Sequence, residues 1–436
     1  MKSDRRYAVY SKACQKLPRL RISHTVVASF SQIYGQPLSF HPAVGACLCA
    51  LLLSSILQLT RAGPIFAQAL PVAERATTRD FVEYWSAARL LVQGGNPYSP
   101  DELLVLQRTV GWRDVQPLIM WNPPWALPFV APFGLLSFTT GQFLWLLLHV
   151  CLILISAQLL WRTYSNSGQS SRLSWLVALT FVPAAFVLII GQITPLVLAG
   201  LACFLYSERK QNYWTMSASL VVLSIKPHLL YLFWIVFLLW IFEKRPWRLI
   251  FAAALTGLSA ALLPVLFDTR IYSEYLALYG VAGISKPLDW PAPTLRNVIR
   301  IFFGAETWLQ FAPTAMAAAW LISHWERHKC QWHWHKQLPL ITVVSVTSSI
   351  FVWTYDQVVL LPAILEAAAW MIRKPHSWHQ YWAARVYLAI NACHFFLRFW
   401  LAEELWYFWL GPALLINYLI FCWERKNLHS SSPTTS

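Results

Sequence analysis

Long apolar runs separated by short polar connections recur from residue 43 almost to the end of the chain. Twelve approach the roughly 20 residues needed to cross a bilayer: 43–62, 139–161, 173–190, 195–206, 213–225, 229–242, 248–267, 308–323, 338–354, 357–372, 382–398 and 405–422. Several are short, so neighbours read as halves of broken helices. The pattern predicts an all-α polytopic membrane protein with about 10–13 transmembrane helices. Residues 1–42 form a basic tail, 43–424 the multi-span domain and 425–436 a C-terminal tail. Two long connections, roughly 63–138 and 268–307, interrupt the rhythm. The first contains "ATTRDFVEYWSAARLLVQGGNPYSP", residues 76–100. Phe81, Trp85, Ala88 and Val92 fall on one helical face, and Asp80, Glu83, Tyr84 and Ala87 on another. "GGNP" ends the helix. The expectation is an amphipathic helix lying on the membrane, its acids turned to water. Thr77-x-x-Asp80 resembles a capping box, so read locally Asp80 satisfies backbone donors at the helix start. "WNPPWALPFVAPFGLLSF", 121–138, holds four prolines and reads as a second interfacial helix or a bent span.

Composition strengthens the membrane reading. The chain is 57% hydrophobic and 12% charged, with mean hydropathy +0.47, where soluble domains carry about 25% charged residues. The 25 Trp suit an aromatic-rich membrane protein. A net charge of +15 raises nucleic acid as a partner, but its distribution excludes that. The N-terminal tail and alternate connections ("WR…SR", "SERK", "EKRPWR", "HWERHK…HK", "MIRK…AAR", "WERK") carry 22 of the 34 basic residues against 5 acidic ones. That is the positive-inside pattern, and it places both termini in the cytoplasm. Cys47 and Cys49 share one apolar run and suggest no disulfide framework. About 42 mostly polar residues precede the first run, so no secretory signal is expected. No Gly-rich phosphate loop, CxxC pair or GxSxG elbow occurs.

With that orientation the polar residues that look chemical gather outside the cytoplasm. Gly191-Gln192 breaks an apolar stretch, where backbone at membrane depth can line a cavity. Lys226 and His228 sit between two short runs; a cation there needs a partner or a function, or snorkels to the head groups. Tyr355 and Asp356 lie at the outer end of a span, and Asp356 suits an ion pair with Lys226 or an arginine. Arg296 and Arg300, four apart and flanking Asn297, share a helix face that fits either a phosphate clamp or a solvated surface. On the cytoplasmic side His324, His328, Cys330, His333 and His335 permit a zinc site by spacing, although the basic, Trp-rich stretch fits head-group anchoring better. No metal is expected.

The blocks "DFVEYWSAARLLVQGGNPYSP", "NPPWALPFVAPFGLL", "GQITPLVLAGLACFLYSERKQ", "LVVLSIKPHLLYLFWIVFLLWIFEKRPWR" and "TYDQVVLLPAI" resemble, in this order, glycosyltransferase family 87, from about residue 78 to 375. The resemblance implies a GT-C fold with its active site on the extracytoplasmic side of the plasma (inner) membrane. It implies a polyprenyl-phosphate sugar, such as polyprenyl-phosphate mannose, as donor, and no cofactor. The acceptor would be a glycolipid or glycan. It assigns the catalytic Asp in the "DF…Y" block to Asp80. No family assignment reaches Glu83, which stays a secondary candidate with Tyr84 and Asp356; the remaining roles rest on the common outward placement of the residues. Lys226, His228, Arg296 and Arg300 would hold the donor phosphate, and Gln192, Asn297 and Tyr355 would line the cavity. The sequence has "YWSAAR" where the family commonly has an aromatic pair such as "YY". A transporter or flippase of lipid-linked sugars is the rival reading, since broken apolar segments suit transporters too; the absence of internal repeats weighs against it.

Overall fold

A computed structural model describes residues 79–165, 172–373, 378–401 and 403–430. The predicted basic tail, the first expected span (43–62) and Thr77 of the capping pattern lie outside the described residues. So does the end of the C-terminal tail, from 431. In chain order the described helices are α1 (Phe81–Gln93), α2 (Pro100–Thr109), α3 (Leu127–Gly134), α4 (Phe138–Tyr164), α5 (Arg172–Thr180) and α6 (Val182–Ile190). There follow α7 (Thr194–Lys210), α8 (Tyr213–Leu223), α9 (Tyr231–Lys244), α10 (Trp247–Leu262), α11 (Ile271–Leu278) and α12 (Leu295–Phe303). The last five are α13 (Ala312–His328), α14 (Trp334–Ser348), α15 (Leu361–Arg373), α16 (Trp378–Leu397) and α17 (Leu410–Ser430). No strand occurs among the described residues.

Of the eleven expected spans that fall on described residues, ten fall largely on one helix each, and 173–190 falls on two, α5 and α6. Among the described residues five segments are long and apolar enough to cross a membrane: Phe138–Tyr164, Pro227–Lys244, Trp247–Leu266, Tyr355–Arg373 and Glu404–Lys426. The pair α5 and α6, bent by 70°, would make a sixth. The other apolar runs build shorter helices, several too short to span alone. Burial sorts the spans: 17% of the apolar window of Trp247–Leu266 is buried against 72% for Tyr355–Arg373. The first faces outward and the second is central.

The first long connection packs into the bundle rather than lying on it. The expectation that α1 turns its acids to water is corrected: Glu83, Tyr84 and Ala87 are as buried as Phe81, Trp85 and Ala88. Both faces are covered. Phe81 and Tyr84 lie against Trp145 of α4, at centroid distances of 5.6 and 5.3 Å, and Phe81 also meets Phe133 of α3 at 6.1 Å. Gly94, with φ +77°, ends α1 where "GGNP" predicted. The proline-rich stretch forms a turn at Pro124–Ala126 and then the eight-residue α3, too short for a span.

Helix α3 approaches α1 through Gly134. A Cβ there would sit 2.5 Å from the carbonyl carbon and oxygen of Ala88 and 2.7 Å from the nitrogen of Arg89, all backbone. The Arg89 guanidinium donates to the Gly134 carbonyl (2.9 Å), and the Trp85 indole donates to Leu136 (3.1 Å), satisfying carbonyls at the end of α3. Gly134→Ala forces the two helices apart, and overpacking of this kind costs about 1–3 kcal/mol. A lowered Tm in detergent is the expected result; an unchanged Tm would mean that the α1–α3 approach is not tight.

Candidate active site

The site forms where three chain breaks meet. Helix α6 ends at Gly191, whose left-handed φ of +80° turns the chain before Gln192 and α7. The Trp145 indole donates to the Gly191 carbonyl (2.8 Å), and the Asp80 amide to the Ile190 carbonyl (2.8 Å), so α1 and α4 are pinned to this corner. Lys226 follows α8 and precedes Pro227, which keeps it out of helical geometry (φ −131°, ψ 69°). Tyr355 and Asp356 open the helical turn that leads into α15. All three breaks lie at the end of the bundle opposite the basic ends of α7, α9 and α15.

Gln192 wires this corner together. Its carbonyl oxygen accepts from the Tyr84 hydroxyl (2.6 Å) and from Lys226 Nζ (2.9 Å). Its amide nitrogen donates to Asp80 Oδ2 (2.8 Å) and Glu83 Oε1 (3.3 Å). Lys226 Nζ also donates to Thr194 Oγ1 (3.1 Å) and to Asp356 Oδ1 (2.8 Å), which occupies all three ammonium hydrogens. Thr194 donates to the same Asp356 oxygen (2.5 Å), and Asp356 Oδ2 accepts from the Trp353 amide (3.2 Å). The Lys226–Asp356 ion pair is buried, with relative exposures of 7% and 0%. Burial at that depth rules out snorkelling for Lys226.

The carboxylates differ from one another. Asp80 stands at the N-cap position of α1, yet its side chain accepts no capping hydrogen bond; the local capping reading is corrected. It is half-buried, and desolvation raises its pKa despite the Gln192 hydrogen bond. Glu83 is pushed up to about 8, first by desolvation and then by the negative charge of Asp80. Glu83 is therefore largely protonated at neutral pH.

A cavity of ≈ 380 Å³ opens from this corner. Glu83, Tyr84, Gln192, Lys226, His228 and Tyr355 line its polar end, while Asp80 stands behind the lining, bound to Gln192. His228 Nε2 is buried with no hydrogen-bond partner. The Tyr355 ring lies 5.6 Å from Lys226 Nζ. Aromatic side chains from the two long connections and from the segment before Tyr355 complete the wall.

Arg296, Asn297 and Arg300 do not line the cavity. Arg296 donates to Gln310 Oε1 (3.0 Å) and the Leu288 carbonyl (2.9 Å), and Arg300 to the same carbonyl (3.1 Å). Asn297 donates to the carbonyls of Trp290 (3.0 Å) and Ala292 (2.8 Å). Together they brace the loop that carries Trp290 into the wall. The outward side of α12 is apolar, with Ile301, Phe302 and Phe303 exposed, so the solvated-helix expectation is corrected as well. At the other end, His324 Nε2 lies 2.8 Å from Gln337 Oε1 and His328 Nδ1 2.8 Å from the His324 carbonyl. Among the described residues no group of three or more His, Cys, Asp or Glu side chains could hold a metal ion.

Sequence reasoning treated Gln192 only as cavity lining and passed over Thr194. Both stand in "GQIT", and the break in the apolar run was the available signal.

A segment containing Gln192, Lys226, His228 and the bracing arginines has a recognisable family signature. Residues 121–329 match the model of glycosyltransferase family 87. The match agrees with the resemblance carried by the ordered blocks, though it is narrower than 78–375 and leaves out Asp80, Glu83 and Asp356. No curated protein and no solved structure matches the chain. The family 87 match covers just under half of the chain, and the described residues are all-helical and rich in apolar helices.

Proposed function

We propose that the protein moves a hexose, mannose by family resemblance, from a polyprenyl-phosphate sugar to a glycolipid or glycan acceptor on the extracytoplasmic face of the plasma (inner) membrane. One observation carries this reading: a buried cation and a histidine whose Nε2 has no hydrogen-bond partner share a cavity end with Glu83, which Gln192 joins to Asp80 behind it. The chemistry is a displacement at the anomeric carbon. An acceptor hydroxyl forms the new C–O bond, its proton passes to a carboxylate, and the old C–O bond breaks with its electrons leaving on the lipid phosphate. Asp80 is the base, as the resemblance assigns it, and Glu83, largely protonated at neutral pH, is the poorer proton acceptor. Lys226 and the His228 imidazole stabilise the departing phosphate. Both substrates are membrane-borne, their tails lying in hydrocarbon among the spans. The alternating basic flanks support the orientation, with both termini cytoplasmic.

The test uses purified full-length protein in detergent, a polyprenyl-phosphate [14C]mannose donor and a membrane glycolipid extract. Labelled mannosyl product together with released polyprenyl phosphate is the expected result. Detergent abolishes any measurable transport, so a folded protein that transfers sugar from no polyprenyl-phosphate hexose would return the reading to a flippase.

A further inference from the structure

The aromatic part of the cavity has no role in the charge chemistry, and its construction is specific. One wall is Trp121, Tyr275 and Tyr279. The Trp121 and Tyr279 rings meet edge-on at 5.5 Å. The Tyr275 hydroxyl lies 3.2 Å from the Trp121 carbonyl and 3.0 Å from the Tyr279 hydroxyl. Behind it the buried Tyr98 packs on Tyr275 at 5.1 Å. The second wall is Trp290, Phe351 and Trp353, with centroid separations of 5.6, 6.0 and 6.2 Å. It continues through Tyr355, stacked on Trp353 at 6.1 Å, to the ring over Lys226.

Three features select the ligand chemistry. The rings of Trp121, Tyr275, Tyr279, Trp290, Phe351 and Trp353 are half-buried or exposed, and the Asn297 brace holds Trp290 in place. The indole N–H groups of Trp121, Trp290 and Trp353 find no hydrogen-bond partner among the described residues, so each wall offers a donor beside its aromatic face. Finally, Trp121, Tyr275, Tyr279 and Trp290 lie outside every candidate membrane span. A pyranose has the complementary surface: an apolar C–H face whose hydrogens suit the negative face of a π system, rimmed by hydroxyls. An isoprenoid tail offers no acceptor for the indoles and belongs among the spans.

We infer that Trp121, Tyr279 and Trp353 form an acceptor-sugar subsite, so that the hydroxyl receiving the hexose belongs to a carbohydrate. This rests on the transferase reading for its role but not for its existence as a sugar site. The experiment is saturation-transfer NMR on the purified full-length protein in detergent, with methyl α-mannopyranoside and methyl α-glucopyranoside as probes. At least one glycoside should bind, and Tyr279→Ala and Trp121→Ala should each weaken it about fivefold. Trp247→Ala, on an exposed side chain of α10, should leave it unchanged. Tyr279 is 45% exposed, so its variant should keep the parent Tm. No binding by the parent, or equal binding by both wall variants, overturns the subsite. So does weakened binding of geranyl phosphate alone, which would make the wall an isoprenoid rest. Sugar binding without any transfer would sink the transferase reading and leave the subsite standing; transfer with an unaltered acceptor KM in both variants would do the reverse.

Discussion

Asp80→Asn should lower kcat by about 10²–10⁴-fold, the usual contribution of a positioned base, while Glu83→Gln should keep most of the activity at pH 7. The substitution at Asp80 is clean because its side chain caps no helix donor; an amide oxygen can still accept from Gln192, so α1 should stay folded. Glu83, at about 8, is largely protonated at neutral pH, and the negative charge of Asp80 is one reason. Above pH 8 Glu83 ionises, and its negative charge enters a cavity that must hold a phosphate. Parent activity should therefore fall on the alkaline side, and Glu83→Gln, which cannot ionise, should lose that limb. A steady-state pH profile of both variants with a polyprenyl-phosphate sugar decides the matter. An inactive Glu83→Gln beside an active Asp80→Asn would exchange their roles, consistent with Glu83 being the acid that lines the cavity. Equal loss in both would make the pair a single proton-sharing unit.

The sequence exposes the helices more fully than their surroundings. Apolar run length marks every described span, because burying or solvating an unbroken apolar segment leaves few alternatives. Gly191, Lys226-Pro227 and Asp356 announce the chain breaks in the same way: polar or turn-forming residues at depth require a reason. Periodicity divides α1 into an apolar and a polar face, yet it does not say what covers the polar one. Water was the default covering; the structure supplies Gln192, and Asp80 exchanges a capping role for that amide. The arginine pair shows the converse. Four-residue spacing put Arg296 and Arg300 on one face, but their partners, Gln310 and the Leu288 carbonyl, are loop groups whose positions no local pattern encodes. The aromatic subsite was equally hidden, since Trp121, Tyr279 and Trp353 come from three separate segments and only tertiary packing brings them to one cavity.

Removing one member of the Lys226–Asp356 pair should produce the largest stability loss in the molecule. Lys226→Ala leaves Asp356 fully buried without its counter-charge, and an uncompensated buried charge costs about 3–5 kcal/mol. Loss of activity in that variant would say nothing about the phosphate. The informative protein is the triple variant Lys226→Met, Asp356→Leu, Thr194→Val, which removes both charges and the hydroxyl between them at nearly constant volume. Well-packed apolar groups replace a buried ion pair with little change in stability, so its Tm should correspond to within about 2 kcal/mol of the parent. The residual cost is the Trp353 amide, which loses its acceptor. If a stable triple variant no longer binds the polyprenyl-phosphate donor, the cation is kept for the phosphate rather than for the fold. All three ammonium hydrogens are already engaged, so donor binding must draw one of them from Gln192, Thr194 or Asp356 to a phosphate oxygen. Drawing it from Gln192 would free the carbonyl that also holds Tyr84, coupling arrival of the phosphate to the amide that touches Asp80 and Glu83. A stable triple variant with parental donor affinity would remove Lys226 from the donor site and leave His228 as its phosphate contact.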